Sequence, residues 1–119
     1  MISGIEAPGI SAEPKVVHGR QVRQTFVVNL ENGLHARPCA LLVKALRPFA
    51  AKVEVQANGE KVSGHSIMGL MALAAGYETE ITFTINGKDA VQAMEAVREV
   101  FATRFEGAYG AAVYGPSRA

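Results

Sequence analysis

Pro38 and Pro48 bracket an apolar stripe, and together they fix where the first helix of this chain can lie. Proline is tolerated in the first turn of a helix, where its missing N–H has no partner to lose, but not in the interior. It also pushes the preceding residue out of the helical region. Between the two, Leu41, Leu42, Ala45, Leu46 and Phe49 recur at helical spacing, with Lys44 and Arg47 on the opposite side. The helical period covers Ala36 to Phe49, the start falls at about His35 or Ala36, and Pro48 is the stop.

The flanking segments alternate with a period of two. Val22 to Leu30 places Val22, Phe26, Val28 and Leu30 on one face and Arg23, Thr25 and Asn29 on the other, before Glu31-Asn32-Gly33 breaks the strand. Ala51 to Ala57 puts Val53 and Val55 inward and Lys52, Glu54 and Gln56 outward. Asn58-Gly59 is a two-residue hairpin signal into a short strand around Lys61 to Ser63. Ser66 then reads as the N-cap of a brief helix reaching about Ala75, with Gly76 as its stop. Glu80 to Asn86 is a strand with Ile81, Phe83 and Ile85 on its buried side. After the Asn86-Gly87 turn, Asp89 falls in the first turn of a long helix. Its apolar face is Ala90, Ala93, Met94, Val97, Val100 and Phe101, and Gly107 ends it. This β-α-β-β-α-β-α order defines an α+β chain: a two-layer open-faced sandwich, with helices on one side of a mostly antiparallel sheet.

Composition narrows the chemistry. A length of 119 residues, 49% apolar and 19% charged, is that of one globular domain. Twelve basic against eleven acidic residues give a net charge of +1, which offers no general field for nucleic acid or a membrane surface. The single cysteine, Cys39, excludes a disulfide framework, and isolated His18 and His65 make no metal site. No apolar run approaches the roughly 18 residues of a membrane span. The first residues lack the basic start and apolar stretch of a signal peptide, so the expected location is cytoplasmic. Residues 1–19 read as a flexible extension, 20–106 as the domain, and 107–119 as a Gly/Ala-rich tail carrying Tyr109 and Tyr114.

Chemistry concentrates in Asn32-Gly33-Leu34-His35-Ala36-Arg37-Pro38. Gly33 permits a tight turn immediately before the helix, and the helix start presents backbone N–H groups that favour an anion. His35 stands at that opening, with Arg37 close behind it. The positive helix end and the guanidinium both favour the neutral imidazole, the form that attacks phosphorus. Once a phosphoryl group is attached, the same N–H groups and Arg37 pair with its oxygens without a metal or other cofactor. Cys39 is read as a small buried side chain. The weaker alternative is a thiol nucleophile, since Cys39 and His35 share a helix face.

Asn32 to Pro38, with Cys39-Ala40, resembles the active-site signature of HPr, the histidine-containing phosphocarrier family of the bacterial sugar phosphotransferase system. Ser66-Ile67-Met68-Gly69 resembles its second signature, and the similarity spans about residues 20–106. The resemblance implies a four-stranded antiparallel sheet covered on one face by three helices. It implies that His35 accepts phosphate, at Nδ1, from phosphorylated enzyme I and donates it to an enzyme IIA domain, with Arg37 pairing the phosphate. Such a protein is a group carrier rather than a turnover enzyme. Ser66 matches the serine modified by an HPr kinase/phosphorylase in many bacteria, although His65 stands where the family usually has Lys and Cys39 where it has Ala. The docking surface implied comprises Ala36, Arg37, Lys44, Arg47, Ile67, Met68 and Met71, and methionines suit a surface that meets several partners. The alternative is a regulatory protein-binding member of the fold, acting through phosphate on Ser66 or His35 in carbon or nitrogen control.

Overall fold

The computed structural model describes residues 15–16 and 20–105. Among these residues eight elements follow one another: β1 (Lys15–Val16), β2 (Gln21–Val27), α1 (Ala36–Leu46), β3 (Lys52–Ala57), β4 (Glu60–Ser63), α2 (Ile67–Ala72), β5 (Glu80–Asn86) and α3 (Ala90–Ala102). The strands form one antiparallel sheet in the order β1-β2-β5-β3-β4. The four-stranded sheet with three helices on one face is as expected from the sequence. The two-residue β1 adds a fifth strand beyond β2, inside the stretch read as an extension. The rest of residues 1–19, and the tail 107–119 with its proposed stop at Gly107, lie outside the described residues.

Strand β5 is the axis of the sheet. It pairs with β2 from Gln21↔Asn86 to Val27↔Glu80 and with β3 from Lys52↔Asn86 to Gln56↔Thr82. Alternation therefore sends Ile81, Phe83 and Ile85 to the helical side with Val22, Phe26, Val53 and Val55, all buried. The aromatic rings lock α3 onto this face. Phe26 stacks on Phe101 at a centroid distance of 4.4 Å and meets Phe83 edge-on at 5.6 Å, contacts worth about 1 kcal/mol each beyond area burial. On the other face the hydroxyls of Thr25 and Thr82 pair at 2.8 Å across β2 and β5. Gln24 lies on the buried face with Val22 and Phe26 although it is polar; it is only 2% exposed, and its Oε1 accepts from Arg98 Nη1 at 3.3 Å.

Several boundaries differ from the sequence reading, each for a local reason. Strand β2 ends at Val27, although Val28 still exchanges backbone bonds with Glu78 and Thr79. Helix α1 stops at Leu46 with Arg47, its backbone still helical, as C-cap; Pro48 has no N–H to extend the ladder, and Phe49 is left half-buried against the core. Helix α2 stops at Ala72 rather than Ala75, since Ala74 turns left-handed at φ 53°; Gly76 is not the stop. Helix α3 stops at Ala102, where Arg104 and Phe105 are left-handed and Phe105 swings back to meet Phe101 edge-on at 4.9 Å.

Asp89 is the N-cap residue of α3 rather than a first-turn residue, and its side chain makes no capping bond. Its carboxylate instead accepts from the N–H groups of Ala50 and Ala51 at 2.9 and 3.0 Å, tying the α1–β3 connection to the start of α3. Replacing Asp89 with Ala leaves two N–H groups without this acceptor and is expected to cost about 2 kcal/mol. Urea unfolding checks this: the midpoint falls while the slope stays unchanged.

Candidate functional site

His35 is the N-cap of α1. Its backbone is extended at φ −94° and ψ −164°, its side chain makes no capping bond, and it is exposed. The helix's first backbone bond runs from Cys39 N–H to the His35 carbonyl at 3.1 Å, so Ala36, Arg37 and Pro38 make up the opening turn. Pro38 is buried there, where no N–H is missed. Arg37 is exposed in the same turn, beside the helix end that favours an anion.

The turn ahead of His35 is held from behind. Gly33 takes φ 71° and donates to the Leu30 carbonyl at 2.9 Å. A Cβ on Gly33 would sit 2.8 Å from the Ala75 carbonyl oxygen and 2.9 Å from the Gly76 Cα, so only glycine lets the two backbones meet. Leu34 N–H donates to that same Ala75 carbonyl at 2.9 Å, and the Leu34 side chain enters the core. The segment after α2 is thus the platform on which the His35 loop rests.

Ser66 is the N-cap of α2 as expected. Its Oγ accepts from Gly69 N–H at 2.9 Å, and the side chain is half-buried. His65 next to it is exposed, with Nε2 at 3.3 Å from the Ala51 carbonyl, so that nitrogen carries the proton in this contact. Helix α2 sends Leu70 into the core and leaves Ile67, Met68 and Met71 exposed at 37%, 78% and 41%. Helices α1 and α2 are in contact, and Ala36, Lys44 and Arg47 are exposed on α1.

The thiol alternative does not survive. Cys39 is fully buried, its Sγ donates to the Leu34 carbonyl at 3.6 Å, and burial pushes the thiol up from 9.0 to about 11. Among the described residues no group of three or more His, Cys, Asp or Glu side chains could hold a metal ion, and no helix is long and apolar enough to cross a membrane.

Two contacts were missed from sequence: the Asp89 clamp, and the side chain of Asn58, whose Nδ2 donates to the carbonyls of Leu73 and Ala74. The sequence gives no signal for either, since both residues were already accounted for by local turn and helix-start chemistry.

Comparison with known proteins matches this arrangement to one family. Residues 22–103 match the PTS-HPr family model, described as the PTS HPr component phosphorylation site. The chain is 40% identical over 74 residues to phosphocarrier protein HPr of Treponema pallidum (strain Nichols), covering 62% of this chain and 84% of that protein. It is 42% identical over 76 residues to the HPr-like protein Crh of Halalkalibacterium halodurans, covering 64% and 90%. Among solved structures, a phosphocarrier protein HPr from Bacillus anthracis str. Ames aligns with a TM-score of 0.62 and 40% identity, over 72% of this chain and 98% of that one. A mycoplasma histidine-containing phosphocarrier protein aligns with a TM-score of 0.66 and 33% identity, over 70% and 96%. The chain belongs to the HPr family of the phosphotransferase system.

The state of Cys39 has two measurable consequences. In the folded protein Cys39 should stay unreactive toward a disulfide reagent at neutral pH and react at once after urea unfolding. Above pH 9.0 the unfolded thiol ionises before the folded one, so the folded state binds more protons and stability falls as the pH rises toward about 11. Unfolding free energies of wild type and Cys39→Ala across this range should diverge accordingly, with the smaller slope in the variant.

Proposed function

We propose that this protein is a phosphoryl carrier in which His35 accepts phosphate from phosphorylated enzyme I and donates it to enzyme IIA domains. The observation that carries this reading is an exposed histidine at the N-cap of α1, inside the family's phosphorylation-site match and beside Arg37. In the transfer, the lone pair of the neutral imidazole, at Nδ1, attacks the phosphorus carried by enzyme I. The new N–P bond forms as the donor's bond to phosphorus breaks, and that electron pair returns to the donor. The N–H groups of the opening turn and the Arg37 guanidinium face the phosphoryl oxygens. An open, shallow site suits a group that must leave again, because tight binding of the phosphorylated state would slow donation.

Ala36, Arg37, Lys44 and Arg47 on α1, with Ile67, Met68 and Met71 on α2, form the docking surface in this reading. Exposed apolar residues grouped on one short helix beside the reacting loop favour serial recognition of several partners. A second reading, regulation through Ser66, is favoured by its position as N-cap of α2 and by the likeness to a protein named HPr-like Crh. A phosphate there, added by an HPr kinase/phosphorylase, replaces the hydroxyl cap at a helix end that tolerates negative charge.

Incubation with phosphoenolpyruvate and enzyme I should give a phosphoryl adduct that acid removes and base does not. His35→Ala should abolish it, and Arg37→Ala should slow transfer by about tenfold or more. An adduct that persists in His35→Ala ends the carrier reading. For Ser66, a cognate kinase with ATP should give an acid-stable adduct that Ser66→Ala lacks.

A further inference from the structure

The segment that supports the His35 loop is itself held in an unfavourable conformation. Ala74 is left-handed at φ 53°, a region an alanine occupies only when its surroundings hold it there. What holds it is the hairpin between β3 and β4. Asn58 Nδ2 donates to the Leu73 carbonyl at 2.9 Å and to the Ala74 carbonyl at 3.1 Å, capturing the end of α2 as it turns. The next carbonyl, that of Ala75, accepts from Leu34 N–H, and Gly33 packs against Ala75 and Gly76. Asn58 is far from His35 in sequence, yet a continuous series of hydrogen bonds and chain connections joins them: Asn58 to Leu73 and Ala74, then Ala75 to Leu34, then His35.

We propose that Asn58 is a positioning residue for His35, setting the orientation of the reacting loop through the backbone of residues 73–76. The role rests on the carrier reading of His35. Asn58 itself is left-handed at φ 51°, as the type I′ hairpin turn with Gly59 requires, and asparagine is among the few residues that combine this backbone with a side-chain donor. Turn chemistry alone is met equally by glycine or aspartate. Only asparagine of the three donates two bonds to the end of α2, so turn and positioning roles separate by substitution.

The test uses the full chain as wild type, Asn58→Gly and Asn58→Asp. Glycine keeps the turn without the donor, and aspartate keeps the turn but points carboxylate oxygens at two carbonyls. Hydrogen exchange should quicken at the Leu34 amide by about tenfold or more in both variants, while the Val55 and Phe83 amides of the central strands stay within about twofold. With phosphorylated enzyme I as donor, kcat should fall about fivefold or more and KM stay within about twofold, because the docking residues are untouched. Uniform quickening of all three amides, or an unchanged kcat with an unchanged Leu34 amide, overturns the proposal. A wild type that forms no acid-labile adduct instead ends the carrier reading, and the exchange of the Leu34 amide still decides whether Asn58 orders the loop.

Discussion

The close approach of Gly33 to the Ala75–Gly76 backbone is the constraint from which the geometry of the site follows. It places two chain segments in direct contact with no side chain between them, closed by the Leu34 N–H to Ala75 carbonyl bond. Because Leu34 is anchored in the core on one side and hydrogen-bonded on the other, the next residue must emerge at the surface. That residue is His35, and α1 begins immediately after it. A reacting side chain on a loop gains precision only when the loop rests on something rigid. Here the support is the end of α2, packed through Leu70 and Leu73 into the common core.

The division of labour between local and long-range forces explains what the sequence disclosed. Strand β5, the hairpin turn at Asn58-Gly59, the Ser66 cap and the buried face of α3 were all legible, because period and turn chemistry are local properties. The helix ends were less so. Ala74, Arg104 and Phe105 adopt left-handed backbone without being glycine, and at Ala74 the Asn58 side chain from the β3–β4 hairpin captures the turn. Phe105, past the end of α3, turns its ring edge-on to Phe101. Gln24 is a further case: alternation assigns it to the buried face, and the approach of Arg98 from α3 gives its side-chain oxygen a donor there.

The site shows the same split. His35, Arg37 and Ser66 could be placed at helix starts from their neighbours in sequence, since Gly33, Pro38 and Gly69 lie close by. The contacts that support them run between residues distant in sequence, as Asn58 with Leu73 and Asp89 with Ala50 and Ala51 show. Cys39 illustrates how burial decides chemistry: a thiol in the first turn of a helix reads as a possible nucleophile until the structure seals it beneath the Leu34 carbonyl.

The sheet order carries a consequence for synthesis. Strand β5 lies between β2 and β3, yet among the described strands it is the last made. Until residues 80–86 leave the ribosome, β2 has no central partner and β3 has only β4, so a nascent chain holds two disconnected β pieces and an uncommitted α1. The sheet, and with it the covering of the Phe26 ring by Phe83 and Phe101, is therefore completed in a late step dominated by non-local pairing.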